Sequence, residues 1–113
     1  MNAELLDILQ LYIDGVRNIY GSALKAVVLY GSYARGDFTR ESDIDLMILL
    51  TLNSDDMKKK FGKLSDYTYD FNMEHGTDIS PVDISEYMYE KWRDVYPFYA
   101  NISKEGIALY EAA

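Results

Sequence analysis

The chain has 113 residues, 11 Lys and Arg against 19 Asp and Glu, a formal net charge of -8, no cysteine and one histidine, His75. That length fits one domain over residues 1–113, and 49% hydrophobic with 14% aromatic residues supplies a core, which argues against disorder. The composition rules out disulfides, thiolate zinc sites and a cysteine nucleophile, and the acidity disfavours a nucleic-acid partner, because phosphate backbones are held by Lys and Arg.

The N-terminus carries Glu4 and Asp7 where a signal peptide needs positive charge, and no apolar run approaches the roughly 18 residues of a membrane span. A soluble, cytoplasmic chain with no membrane partner is expected. Residues 2–20 place Leu5, Leu9, Tyr12, Val16 and Ile19 at helical spacing. Leu6, Ile8, Leu11 and Ile13 widen that stripe, so the helix needs two neighbours, either inside the domain or in another chain. Gly21 ends it.

Residues 24–30 read as a short buried strand stopped by Gly31, and after a polar stretch residues 43–50 resume a strand. Alternation in its first half puts Asp43 and Asp45 on one face and Ile44 and Leu46 on the other. Its second half is apolar throughout and belongs inside a sheet. Asn53 with Asp55 and Asp56 signals a second helix, whose stripe is Met57, Phe61, Leu64, Thr68 and Phe71 and whose stop is Gly76. Residues 77–84 form a third strand, which Pro81 confines to an edge or an irregular ladder.

Ser85 caps a further helix reaching about Tyr96; Pro97 opens a shorter helical turn that Gly106 ends, and residues 107–110 can add a last strand. The order predicts an α/β or α+β fold with a small mixed sheet flanked by helices. Most of Tyr87, Met88, Tyr89, Trp92, Tyr96, Phe98 and Tyr99 are expected in the core or at its edge, with any exposed remainder a partner surface.

Chemistry concentrates in residues 31–45. A strand ending in Gly31-Ser32 and running into a short helix offers backbone N–H groups and a hydroxyl to phosphate oxygens. Gly31 allows close approach of the backbone to a ligand, and Ser32 adds a rotatable donor. Asp43 and Asp45, side by side on one strand face, suit a pair of divalent ions that clamp the attacking and leaving oxygens at phosphorus. Magnesium fits, since it binds through one or two carboxylates plus substrate phosphates. Together these features imply phosphoryl or nucleotidyl transfer, whereas each alone reads as an ordinary turn or a solvated strand face. An EF-hand is excluded, because residues 37–41 lack its alternating ligands and central glycine.

Arg35, one turn after Ser32, is a candidate for triphosphate oxygens, while Arg40 reads as a surface charge pairing with Asp37 or Glu41. Ser42 joins the nucleotide-binding set, orienting the loop through backbone bonds. Tyr33 lines the site or packs, and His75, at a helix end, receives no function.

Gly31-Ser32, ten residues, then Asp43-Ile44-Asp45, within Leu29-Tyr30-Gly31-Ser32-Tyr33-Ala34-Arg35-Gly36 and Ser42-Asp43-Ile44-Asp45-Leu46, resembles the signature of the DNA polymerase β-like nucleotidyltransferases. It is most similar to the minimal nucleotidyltransferase branch, with weaker likeness at residues 78–82 and 102–107. The resemblance implies a polymerase β-like palm fold and Mg²⁺-dependent transfer of NMP, chiefly AMP from ATP, to a hydroxyl with release of pyrophosphate.

It also implies two Mg²⁺ ions and a third carboxylate on a later strand. Asp78 matches best; Asp83, five residues on, falls on the opposite face unless a bulge near Pro81 reverses the two. Larger relatives close a helical domain over the acceptor, so here the acceptor is expected on an open site or on another chain. Similar proteins pair with a helical HEPN toxin and adenylylate its tyrosine, which implies an antitoxin role; a homo-oligomer is the other partner open. The alternatives are a module that neutralises its partner by contact alone, or a transferase acting on a small molecule such as an antibiotic.

Overall fold

The computed structural model describes residues 2–113. Helix α1 (Ala3–Tyr20) starts where Asn2 Oδ1 accepts the Leu5 N–H at 2.8 Å, and a 3₁₀ turn (Gly21–Ala23) leads into β1 (Leu24–Tyr30). Then follow α2 (Ser32–Arg35), β2 (Ile44–Leu50) and α3 (Ser54–His75), capped by Asn53 and ended by Gly76. The chain closes with β3 (Ile79–Ser85), α4 (Glu86–Trp92), α5 (Pro97–Glu105) and β4 (Ile107–Glu111).

The strands form one mixed sheet in the order β3-β2-β1-β4. β1 runs antiparallel to both β2 and β4, whereas β3 is parallel to β2, as its connection through α3 permits. β3 carries Pro81 on an edge, as the missing N–H requires.

Side-chain alternation divides the sheet between two helical layers. On one face Val27, Leu29, Ile44, Leu46, Ile48 and Leu50 pack with Leu9, Tyr12, Ile13 and Val16 of α1 and Leu64 and Phe71 of α3. The α1 stripe finds two neighbours in this chain, the sheet and α3, except at Leu11, which is exposed. Tyr12 joins them in the core by bonding Thr68 Oγ1 at 2.7 Å, and the Tyr67 hydroxyl donates to the Tyr12 carbonyl at 2.8 Å. On the other face Ala26, Met47, Leu49 and Ile84 pack against Tyr89 of α4 and Ile102 of α5.

Three expectations change. The helix after Ser85 ends at Trp92, not near Tyr96, because a residue before proline is pushed out of the helical region, and Tyr96 is extended at φ -91°, ψ 127°. The segment after Pro97 is therefore the longer of the two helices, at nine residues against seven. Phe61, expected in the α3 stripe, is exposed, and of the C-terminal aromatic cluster only Tyr89 is buried, while Tyr87, Met88, Tyr96 and Phe98 are exposed. Two short helices cover only a narrow band of the sheet, so the aromatics on their outer sides meet solvent.

Candidate active site

Strand register determines where the motif residues meet. The antiparallel pair sets Tyr30 opposite Asp45, and the parallel pair sets Ile44 beside Ile79, with the Ile44 N–H bonding the Asp78 carbonyl at 2.8 Å. The end of β1 and the starts of β2 and β3 therefore lie at one end of the sheet. β4 begins there too, since Ile107 pairs with Leu29, which brings in the last residues of α5.

Gly31 joins β1 to α2 at φ 75°, ψ -155°, a conformation essentially confined to glycine. A Cβ at that position would fall on the Asp45 carboxylate. The turn and the carboxylate are thus in contact, and the missing side chain is what lets them meet. Ser32 follows as the first residue of α2, where the leading amides have no acceptor within the helix.

Asp43 is exposed, just before β2, and Asp45 is half-buried on the Met47 and Leu49 side of the sheet. Burial and the neighbouring Asp43 charge raise the Asp45 pKa, while Arg35 opposes the shift. Part-burial of Asp45 beside the Asp43 charge disfavours its ionised form, a penalty that a bound cation would relieve. Tyr30 forms one wall beside them. Burial and the Asp45 charge push its phenol up to about 12, and its ring meets Phe98 of α5 edge-on at 5.6 Å.

Arg35 bonds Asp37 Oδ2 through Nε at 3.3 Å and Glu105 Oε1 through Nη1 at 3.1 Å. These partners, Asp37 first, raise its pKa, so it stays charged. Ser42 has the orienting role expected of it: its hydroxyl accepts the Thr39 N–H at 2.8 Å, and its own N–H bonds the Thr39 carbonyl at 3.1 Å. That closes the loop immediately before Asp43. Tyr33 stacks on Phe38 with ring centroids 4.3 Å apart and planes at 5°, and Arg40 is exposed. His75 lies against Phe71, with ring centroids 4.1 Å apart.

Asp78 precedes β3 and shares a face with Ser80, the register partner of Asp45. Asp83 pairs with Ile48 on the opposite face, where its charge adds to burial in pushing the Tyr20 phenol up to about 12. Pro81 causes no reversal, since the register runs without a shift from Ile44/Ile79 to Leu50/Ser85. Among the described residues no group of three or more His, Cys, Asp or Glu converges as a metal-holding cluster; Asp78 lies at the same end of the sheet as the pair, one residue before Ile79, the register partner of Ile44.

Sequence reasoning assigned no role to Tyr30 or Glu105. Tyr30 was within reach, since the residue before the Gly31 turn must oppose the start of β2. Glu105, 70 residues from Arg35, has no local signal.

Known proteins resemble this chain in sequence and in fold. Residues 9–109 match the model of the nucleotidyltransferase domain family. Over 99 residues the chain is 30% identical to the "Putative protein adenylyltransferase MJ0604" of Methanocaldococcus jannaschii, covering 88% of this chain and 91% of that one. A crystal structure of a "putative nucleotidyltransferase" from Sulfolobus solfataricus superposes with a TM-score of 0.60 at 18% identity, over 96% of this chain and 81% of that one. A crystal structure of a toxin-antitoxin with AMP-PNP shares the fold at a TM-score of 0.50 and 22% identity, over 89% of this chain and 72% of that one. The chain belongs to the nucleotidyltransferase domain family, and its enzyme class is nucleotidyltransferase.

Proposed function

We propose that this chain, folding as one catalytic domain over residues 1–113, transfers AMP from ATP to an acceptor hydroxyl with release of pyrophosphate. The acceptor oxygen bonds to the α-phosphorus as the bond from that phosphorus to the bridging oxygen breaks, and the hydroxyl proton passes to the Asp78 carboxylate. Asp43 and Asp45 hold Mg²⁺. Their hard oxygen donors, with Asp45 raised in pKa by part-burial and by the Asp43 charge, would suit an ion that takes one or two carboxylates and fills its remaining positions with phosphate oxygens and water. When bound, the metal supplies charge stabilisation on the transferring phosphoryl group. The Gly31–Ser32 amides, the Ser32 hydroxyl and Arg35 take the triphosphate, and Ser42 keeps the loop closed.

The observation that carries this reading is the contact of the Gly31 turn with the Asp45 carboxylate, which unites a phosphate-binding turn and a metal-binding pair in one spot. The acceptor we propose is a tyrosine of a small helical protein of the HEPN type, with this chain as its antitoxin. The relative named as a protein adenylyltransferase and the fold shared with a toxin-antitoxin support that choice. Incubating the co-purified pair with ATP and Mg²⁺ should add the mass of one AMP to the partner and release one pyrophosphate. Asp43→Ala and Asp45→Ala should abolish both; equal pyrophosphate release by these variants would sink the assignment.

A second reading, neutralisation by contact alone, draws on the exposed Tyr87, Tyr96 and Phe98 of the α4–α5 region. It predicts partner binding that survives Asp45→Ala with no mass change in the parent.

A further inference from the structure

Arg35 is the exposed last residue of α2, where a long side chain ordinarily samples many rotamers, and holding it costs conformational entropy. Two carboxylates hold it here. Asp37 is local, two residues further along the chain. Glu105 is not: it is the last residue of α5, two positions before Ile107 pairs with Leu29. The helix end is itself pinned, because a Cβ at Gly106 would strike both the Ile102 carbonyl and the Val28 side chain. The Glu105 carboxylate, only 26% exposed, is therefore a fixed point on the scaffold at the same end of the sheet as the Gly31 turn.

We infer that Glu105 is a positioning residue that holds the Arg35 guanidinium at the mouth of the site for the nucleotide triphosphate, an inference resting on the proposed contact of Arg35 with that group. A guanidinium has five N–H donors in a rigid fork. Asp37 uses Nε and Glu105 uses one donor of Nη1, and among the described residues Nη2 has no bonded partner. Arg35 can thus keep both carboxylates and still offer a donor edge to phosphate.

The sign of one substitution separates positioning from competition. If Glu105 merely competes with phosphate for Arg35, Glu105→Gln removes a negative charge near the site and tightens ATP binding. If Glu105 positions Arg35, the same change weakens it. Binding of ATP in Mg²⁺ is measured by calorimetry for the parent, Glu105→Gln, Arg35→Gln and the double variant. The ion pair is partly exposed, so all are expected to fold like the parent, as circular dichroism would verify.

Glu105→Gln is expected to weaken ATP binding by about fivefold to tenfold, the scale of one ordinary net hydrogen bond. Arg35→Gln should weaken it at least as much, and the double variant should bind no worse than Arg35→Gln alone. Unchanged or tighter binding by Glu105→Gln, with Arg35→Gln weakened, overturns the positioning role and leaves the Arg35 contact standing. Additive losses in the double variant overturn it as well. Parent-like binding by Arg35→Gln removes the triphosphate contact itself, and this inference with it.

Discussion

At Gly31 two requirements coincide: a positive φ and a bare Cα against the Asp45 carboxylate. Gly31→Ala meets neither. The strained backbone alone should cost about 1–3 kcal/mol of stability, and the displaced carboxylate should cost activity as well. Thermal unfolding and ATP-dependent pyrophosphate release would register both losses, and a variant as stable and active as the parent would contradict the geometry. Asp45 gives the reverse pairing. Its folded-state pKa, raised by burial and then by Asp43, means that stability present at low pH is lost as pH rises through that pKa, leaving a part-buried ionised carboxylate beside Asp43 at neutral pH. Asp45→Asn should therefore melt higher than the parent at neutral pH without metal, and this advantage should vanish below the ordinary carboxylate range. Its activity should fall at least about 100-fold, the scale of losing one electrostatic contact in a transition state. Melting curves in EDTA between about pH 3 and about pH 8 bracket the carboxylate pKa; a destabilised Asp45→Asn at neutral pH would refute the sign.

One side chain of α3 sets where β3 begins. Asn72 donates from Nδ2 to the Ile79 carbonyl at 3.0 Å, while its Oδ1 accepts the Ile79 N–H at 2.9 Å and the Thr77 hydroxyl at 2.8 Å. Asn72 thus mimics a strand backbone on the outer edge of β3 and fixes the segment that carries Asp78. Asn72→Ala should cost about 1–3 kcal/mol, since it leaves these edge groups to water, and should speed amide exchange at Ile79 while the β1–β2 amides stay protected. Uniform loss of protection would mean that β3 has no separate anchor. Periodicity and punctuation made most elements legible: β1 ends where Gly31 demands, and α1 and α3 begin just after Asn2 and Asn53. The early end of α4 was also written in the sequence, at Pro97, but as a constraint on the residue before it rather than as a stop signal. The start of β3 was not legible, because it depends on Asn72, seven residues upstream on another element.

At the scale of the whole molecule, the motif was legible because Gly31, Ser32, Asp43 and Asp45 lie within one hairpin connection, where local register alone brings them together. Glu105 and the exposure of Tyr96 and Phe98 were not, since both depend on how α5 lies across the sheet. That face leaves two readings of the molecule, an enzyme and a contact module, and ligand linkage separates them without knowledge of the acceptor. A ligand that binds only the folded chain stabilises it by RT ln(1 + [L]/Kd), about 2.7 kcal/mol at a hundredfold excess over Kd. For a domain of about 100 residues each kcal/mol raises Tm by about 4–8 °C, so saturating ATP with Mg²⁺ should raise the melting point by about 10–20 °C. EDTA should erase the shift, because ATP without metal adds charge to a site already held by Asp43 and Asp45. Asp43→Asn should reduce the shift and Asp45→Asn should reduce it further, since only Asp45 also touches the Gly31 turn. A parent chain that melts identically with and without ATP and Mg²⁺ would leave the contact module as the surviving reading.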